Sequence, residues 1–353
     1  MVPSKSTIMK LPLVTIVIVT HNSARFIELC INSLLKAEYE QMEIVVVDNV
    51  STDNTRKILS SFGDKIRLIL SESNLGYASG CNLGFENSRG PYVFLLNPDT
   101  EVKKDFLKPL VTAAQKNHKI AACQPLVYLL KEKKRVNLTG KVTHFLGFDW
   151  IRDYLQTEPP EKGEITSFSG CGVLLRKKAV EKAEYFDPFY FMYYEDGDLS
   201  WRLRLLGYKI LFIPESIIYH DYKYLPKEGY QSLKRKLYFN ERNRLITIIK
   251  NYQLSTLALL FPAILAVEVG MILFSFFGGW GKEKLAGYIS ILRNIGYLLR
   301  ERKIVQRHRK VGDRKIIESF ERVLSFKFFE NPAVRYMVNP SLNIYNRLVS
   351  RLI

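Results

Sequence analysis

From residue 13 to residue 116, short β-branched runs alternate with helix-length amphipathic stretches, and this alternation restricts the fold more than any other feature. The runs fall at 13–20 (LVTIVIVT), 43–47 (EIVVV), 66–71 and 92–96. Their continuous apolar character predicts strands covered on both faces. Between and after them, helical patterns are expected at 24–37, 54–62, 77–87 and 103–116. Ser23 is the expected N-cap of the first of these. Strand–helix alternation at this spacing builds βαβ units and a parallel sheet with helices on both faces. Each strand ends in polar residues: Thr20-His21-Asn22, Asp48-Asn49 and Asn97-Pro98-Asp99. Open α/β sheets bind ligands at that carboxyl edge, so these residues mark a candidate nucleotide site.

The regularity fades after residue 120. Strands are expected at 120–130, 172–175 and 208–213, and a helix at 196–206. The polar, proline-bearing segment 131–165 reads as a long loop or lid beside the site.

Charge then divides the chain. Residues 1–220 carry 28 basic and 25 acidic side chains, whereas residues 221–353 carry 24 and 10. The net charge of +17 therefore sits mainly in the second part, which calls for an anionic partner. Within that part, residues 254–277 form a 24-residue apolar stretch whose only charge is Glu268. It is long enough to cross about 30 Å of hydrocarbon. Pro262 should kink it, and Glu268 is costly in lipid unless paired or facing protein. Basic residues flank it on both sides, so the expectation is a re-entrant or in-plane hydrophobic hairpin with both flanks on one leaflet. A single span and a buried core helix are the alternatives. A nucleic-acid surface would interleave aromatics with cations, not enclose such a stretch, so no nucleic-acid partner is expected. The four cysteines lie far apart without metal-ligand spacing and read as buried free thiols of a reducing compartment. The opening MVPSKSTIMK lacks the apolar core of a leader peptide. The expected organisation is an extension at 1–11, a catalytic domain at 12–222 and a basic helical region at 223–353.

Several constellations carry chemistry. Asp99 follows a hydrophobic strand and projects toward the sheet edge, where a diphosphate-bound divalent cation needs one or two carboxylates. The stretch 74–84, with Asn74, Gly76, Gly80 and Gly84, has glycine spacing that excludes a dinucleotide fingerprint. Glu195-Asp196-Gly197-Asp198 places three carboxylates in four positions. Such crowding is tolerated when a cation, a bound hydroxyl or water compensates it. Arg202 lies four residues after Asp198, within reach of an ion pair or free to face a phosphate. His220 closes the charge-balanced part.

In this order, the elements resemble a family 2 glycosyltransferase with the GT-A fold. The matching pieces are Val17 to Asn22, Val46 to Asn49 with Ser51 and Asp53, the 74–84 stretch, Leu96 to Thr100, Ser169 to Gly172 and Glu195 to Arg202. The Asn-Pro-Asp and Glu-Asp-x-Asp-Leu forms resemble the rhamnosyltransferase-like branch, as does Asn240-Glu241-Arg242-Asn243-Arg244, less specifically.

The resemblance implies an α/β Rossmann-like sheet and a role for each position. Thr20, His21 and Asn22 would line the base, and Asp48 would hold the base or ribose. Asn74, Gly76 and Gly80 would shape the pocket floor. Asn97 and Arg202 would also serve the nucleotide-sugar. Asp99 would bind Mg²⁺ or Mn²⁺ on the diphosphate, with His220 as second protein ligand. Asp196 would be the general base, with Gly170, Glu195 and Asp198 supporting it or the acceptor. The implied reaction is inverting, metal-dependent transfer from a dTDP-, UDP- or GDP-linked sugar to a hydroxyl of a lipid-linked or glycan acceptor. The implied location is the cytoplasmic face of the cell membrane, on an anionic surface. One departure stands out. The usual Asp-x-Asp is Asn97-Pro98-Asp99, leaving a single carboxylate for the metal. A sugar-phosphate nucleotidyltransferase would want a glycine-rich loop with a basic finger after the first strand, and none follows here.

Overall fold

A computed structural model describes residues 11–222, 230–325 and 332–353. Most of the expected extension at 1–11 and the first residues of the region expected from 223 fall outside them.

The predicted alternation is present. β1 (Val14–Thr20), α1 (Ile27–Leu35), β2 (Met42–Asp48), α2 (Thr55–Ser60), β3 (Arg67–Leu70), α3 (Gly76–Glu86) and β4 (Tyr92–Leu96) follow in order. β5 (Thr100–Val102), α4 (Leu107–Lys116) and β6 (Ile120–Leu129) continue the chain. β1 to β4 pair in parallel, with β1 between β2 and β4. Alternate residues of β1 serve opposite cores: Val14, Ile16 and Ile18 pack in one cluster with Ile27, Ile31 and Leu34 of α1, and Val17 and Val19 pack in the other with Ala78, Cys81 and Phe85 of α3. That is the period of two expected of a strand covered on both faces. α1 begins later than Ser23 implied. The Ser23 carbonyl accepts from the Phe26 and Ile27 amides, and its own amide donates to Thr55 Oγ1, so a turn tied to the next helix replaces the cap.

The segment expected as a loop, 131–165, holds short strands instead: β7 (Val136–Leu138), β8 (Lys141–Thr143), β9 (Asp149–Ile151) and β10 (Gly163–Glu164). β7 adds to β6, β10 adds to the strand that ends at His220, and β8 and β9 form a separate hairpin. Runs of two or three residues carry no readable periodicity; the sheet edge, not local propensity, makes them strands.

β11 (Gly172–Arg176), α5 (Lys177–Lys182), α6 (Glu195–Leu205) and β12 (Lys209–His220) complete the α/β part. β11 inserts antiparallel between β4 and β6, giving a mixed sheet in the order β10-β12-β6-β11-β4-β1-β2-β3. β12 was expected to stop at residue 213. It continues through a register irregularity between Ile213 and Ile217, which absorbs Pro214, to His220. Its last residues pair with β5, setting His220 opposite Thr100 and beside Asp99.

The basic region is helical: α7 (Tyr230–Asn251), α8 (Leu254–Phe277), α9 (Gly281–Arg293), α10 (Ile295–His308), α11 (Asp313–Ile317) and α12 (Asn339–Val349). It is docked rather than trailing. A third apolar core joins Leu245, Ile246, Tyr252, Leu260 and Leu298 to Phe145, Tyr190 and Trp201 of the α/β part.

α8 is one unbroken helix through Pro262, so residues 254–277 do not fold back on themselves; the reversal comes at Gly278 and Gly279. Its sides are inverted relative to a soluble helix. The buried side presents Thr256, Ala263, Glu268 and Ser275 with Leu260, while Phe261, Leu265, Val269, Leu273 and Phe276 are exposed. A core-helix assignment does not fit that pattern. Glu268 is paired, accepting from Arg244, from Lys284 Nζ at 2.9 Å and from Tyr288 at 2.5 Å.

Candidate active site

Two groups of sequence-selected residues come together at the carboxyl edge, and a third group leaves it. The first group surrounds the ends of β1 and β2. Thr20 and Asp48 are register partners, both buried. Asp48 Oδ2 accepts from Arg56 Nε at 2.6 Å and from the Ser51 amide at 3.1 Å. Its Oδ1 and Thr20 Oγ1 are buried without a hydrogen-bond partner. Unpaired buried polar atoms are costly, and a ligand that pairs with them gains that cost back. Asn22 adopts a left-handed backbone (φ 52°), and its side-chain oxygen accepts from the Thr52 amide at 2.8 Å. His21 Nδ1 lies 2.7 Å from the Asn49 carbonyl. Asn74 Oδ1 accepts from the Gly76 amide at 3.0 Å. Gly76 has φ +73°, and a Cβ there would strike Phe191. Gly80 serves packing instead: a Cβ would lie 2.6 Å from Val19 Cγ1, inside the contact of α3 with β1.

The second group lines a cavity of about 1400 Å³ that contains Asn97, Gly170, Glu195, Asp196 and His220. Asp196 occupies the first turn of α6. Its Oδ2 accepts from the Gly170 amide at 3.1 Å, and its Oδ1 from Lys141 Nζ at 2.8 Å. Lys141 also reaches Asp149 Oδ2 at 2.6 Å. Tyr77 donates to the Gly170 carbonyl at 2.6 Å, fixing the loop behind the carboxylate. Burial raises the Asp149 carboxyl to about 6, against the pull of Lys141. Burial, with Asp196 alongside, raises Glu195 to about 8, and Glu195 Oε2 is buried without a hydrogen-bond partner.

The Glu195 shift has a testable sign. Its folded value lies above its ordinary one, so the native state binds more protons than the unfolded chain between roughly pH 4.5 and pH 8. Stability falls as pH rises through that window. Glu195→Gln removes the ionisable group, so its Tm is expected to exceed that of wild type by at least about 2 °C at pH 8 and to converge with it near pH 5. A thermal melt at both pH values checks this; parallel melting curves across the window would refute it.

His220 lines the cavity's other side, and its Nε2 lies 3.2 Å from Asp99 Oδ1. His220 Nδ1 lies 2.9 Å from Asn137 Oδ1, which fixes the ring. Apart from this ion-pair contact, Asp99 Oδ1 has no hydrogen-bond partner. Asp99 raises His220 to about 10 despite burial, which acts the other way. Among the described residues no cluster of three or more His, Cys, Asp or Glu side chains could hold a metal ion. One carboxylate and one imidazole nevertheless fit a hard divalent cation that completes its shell with phosphate oxygens and water.

The third group is corrected. Arg202 does not face a phosphate: it is buried, donating from Nε to Asp198 Oδ2 at 2.8 Å and from Nη1 to the Ala183 carbonyl. Asp198 also accepts from Lys250 Nζ and the Asn251 amide, both at 3.0 Å. Arg202 is thus spent on Asp198, and Asp198 joins α6 to α7, a place that supports the helix carrying Asp196. Lys141, Asp149, Tyr77 and Asn137 were not singled out by the sequence. The first two sit on the three-residue strands of the supposed lid, and only tertiary structure brings them to Asp196.

Residues 15–183 match the family described as Glycosyl transferase family 2. The poly-beta-1,6-N-acetyl-D-glucosamine synthase of Staphylococcus epidermidis is 25% identical over 208 residues, covering 58% of this chain and 48% of that protein. The chain thus spans about half the length of the curated relatives it matches. Among solved structures, GalNAc-T7 with UDP, GalNAc and Mn²⁺ superposes with a TM-score of 0.56 at 17% identity, over 68% of this chain and 48% of that one. S. aureus TarS 1-349 in complex with UDP superposes with a TM-score of 0.52 at 18% identity, over 96% of this chain and 90% of that one. These likenesses bear out the GT-A sheet expected from the sequence.

Proposed function

We propose that the protein is an inverting glycosyltransferase that moves a sugar from a nucleotide-sugar to an acceptor hydroxyl, a reading supported by the match of residues 15–183 to the family 2 glycosyltransferases. One observation carries this reading. Asp196, held on both oxygens, and His220, which pairs with Asp99 behind it, line one cavity. The edge beside it holds two orphaned polar atoms, on Thr20 and Asp48.

In this reading the base and ribose pair with Thr20 Oγ1 and Asp48 Oδ1, and Asn22 and Asn74 shape the adjoining turns. The diphosphate extends past Asn97 toward Asp99. A divalent cation held by Asp99 and His220 would supply Lewis-acid stabilisation of the leaving diphosphate. Lys141 and the Gly170 amide orient Asp196 so that its remaining lone pairs face the acceptor hydroxyl. As that oxygen attacks the anomeric carbon, Asp196 takes its proton and the glycosyl–phosphate bond breaks. GalNAc-T7 was solved with UDP and Mn²⁺ and TarS with UDP, and the S. epidermidis relative is a poly-N-acetylglucosamine synthase. Of the dTDP-, UDP- and GDP-linked donors, the UDP-linked one is therefore the first to test. The rhamnosyl-type donor rests on the Asn97-Pro98-Asp99 and Glu195-Asp196 motif forms.

Lys236, Asn240 and Asn339 of the C-terminal helices line the same cavity. The acceptor is proposed to enter on that side, as a glycan carried on a lipid. α8 would then lie in the plane of the cytoplasmic leaflet. Its mid-helix Glu268 is bonded to Arg244 of α7 and Lys284 of α9, so a perpendicular span would draw those charges into hydrocarbon. Lying flat, α8 offers Phe261, Leu265 and Leu273 to lipid while Lys and Arg of the neighbouring helices face anionic headgroups. In vesicle flotation, the wild type is expected to stay bound to anionic vesicles in high salt, and Phe261→Asp/Leu265→Asp to dissociate. Release of the wild type by salt alone would sink the inserted arrangement.

The decisive assay is release of free nucleotide and labelled glycolipid from a panel of dTDP-, UDP- and GDP-sugars with membrane extract. Mn²⁺ or Mg²⁺ stimulation is expected, and Asp99→Ala should lower it by at least about tenfold. Full activity in chelator would remove the metal role, and no turnover of any donor would remove the transferase reading.

A further inference from the structure

We propose that Arg242 and Asn243, on a helix beyond the family-matched segment, are positioning residues for Asp196. The inference rests on the transferase reading and adds to it what holds the base in place. The turn that enters α6 holds three non-glycine residues in the left-handed region: Phe191, Tyr193 and Tyr194 have φ of 63°, 64° and 69°. For residues with a Cβ, each such position costs on the order of 1–3 kcal/mol and persists only where surroundings over-determine it. Tyr194 directly precedes Glu195 and Asp196, and no side chain caps the helix there. The shape of this turn therefore sets where α6 begins and so where Asp196 meets Lys141 and the Gly170 amide.

α7 supplies the over-determination. Asn243 is fully buried, and its side-chain amide donates to the carbonyls of Tyr190 at 3.0 Å, Met192 at 3.0 Å and Tyr193 at 2.7 Å. Arg242 Nη2 donates to the carbonyls of Phe189 at 2.7 Å and Tyr190 at 3.0 Å. Arg242 Nε donates to Asn243 Oδ1 at 2.9 Å, which keeps the amide nitrogen turned toward the strained carbonyls. Four successive carbonyls of the turn, apart from Phe191, are thus held by two adjacent side chains. The Phe191 carbonyl is taken by the amides of Tyr77 at 2.7 Å and Ala78 at 3.2 Å, at the start of α3. The turn is clamped between the nucleotide edge and α7, and neither side chain reaches the reacting atoms.

Asn243→Asp tests this with an isostere. It replaces the amide donor by an oxygen facing three carbonyl oxygens, so the turn must move. The expected result is a kcat lowered by about 10–10²-fold, the cost of a small misplacement of a reacting group, with donor KM unchanged. Hydrogen exchange is expected to quicken at amides 190–198 and not elsewhere. Arg242→Lys and Asn243→Gln, which keep a donor, should fall between this variant and wild type. Leu298→Ala, a fully buried core truncation on α10, provides the structural control: lower Tm, unchanged kcat, unchanged exchange at 190–198. Wild-type kcat in Asn243→Asp, or a kcat loss in Leu298→Ala proportional to its Tm loss, would overturn the positioning role. Unchanged exchange at 190–198 would overturn it as well, independently of any substrate. A wild type that turns over no donor sinks the transferase reading and the catalytic part of this one together, whereas an active wild type with an equally active Asn243→Asp sinks this one alone.

Discussion

Asp196→Asn is expected to lower kcat for sugar transfer by about 10²–10⁴-fold, the usual contribution of a positioned general base. Donor affinity should be retained, because Asp196 touches Lys141, the Gly170 and Gly197 amides and the open cavity, not the β1–β2 edge. The substitution is nearly isosteric. Asn can still accept from Lys141 or Gly170 with its oxygen, but its amide nitrogen cannot take a proton. Two neighbours could in principle substitute as base. Glu195 is raised to about 8 and so is mainly protonated at neutral pH. Asp149 is raised to about 6 and is engaged by Lys141. Neither matches Asp196 in being both anchored and facing the cavity from a helix start. Single-turnover transfer with a radiolabelled donor, alongside nucleotide binding by calorimetry, separates the two effects. Transfer at the wild-type rate would remove Asp196 as the base; loss of donor binding with the same variant would reassign it to the donor side.

The legible and illegible parts of this site differ in their physics. β1, β2 and β4 were readable because seven- and five-residue apolar runs can only be strands covered on both faces. Their ends placed Thr20, Asp48 and Asn97 with no further information. Asp99 and His220 were each named, yet their contact depends on β12 running on through Pro214 to pair with β5. A proline in a strand pattern argues for an end, and here the irregularity at Ile213–Ile217 absorbs it. Lys141 and Asp149 were invisible for another reason: three-residue strands have too few positions to show a period. Arg202 shows the limit of spacing arguments. Its i,i+4 relation to Asp198 was readable, but the choice between ion pair and phosphate was made by Lys250 and Asn251, 48 and 49 residues further on. The same holds for α8, whose length was plain while its inverted sides were not. Only the packing of α7 and α9 shows that Glu268 turns inward.

Lys250→Met should destabilise the protein by about 3–5 kcal/mol, the cost of leaving buried charge uncompensated. Lys250 is buried and bonded to Asp187 Oδ2 at 2.6 Å and Asp198 Oδ2 at 3.0 Å. Arg202 still pairs with Asp198 in the variant, so the exposed deficit is chiefly at Asp187, which retains only Tyr297 at 2.6 Å and the Phe189 amide at 3.0 Å. Burial by itself would raise the Asp187 carboxyl, but Lys250 and these hydrogen bonds more than offset it and hold it below its ordinary value. A depressed carboxylate stabilises the fold above its unfolded pKa, and that stability is lost as pH falls through the lower folded value. The wild type should therefore lose stability in acid below about pH 4 through this residue. In Lys250→Met the loss is present already at neutral pH and shrinks on acidification, because protonating Asp187 removes the unpaired charge. Urea unfolding at pH 7 and pH 5 measures both effects, and the double variant Lys250→Met/Asp187→Asn should recover most of the stability. The cluster lies between α7, which carries the Arg242–Asn243 clamp, and α6, which carries Asp196. Loosening it should therefore lower activity before global unfolding, with transfer declining at urea concentrations where the far-ultraviolet signal is still native. Coincident loss of the two signals would show instead that the catalytic turn opens only when the whole fold does.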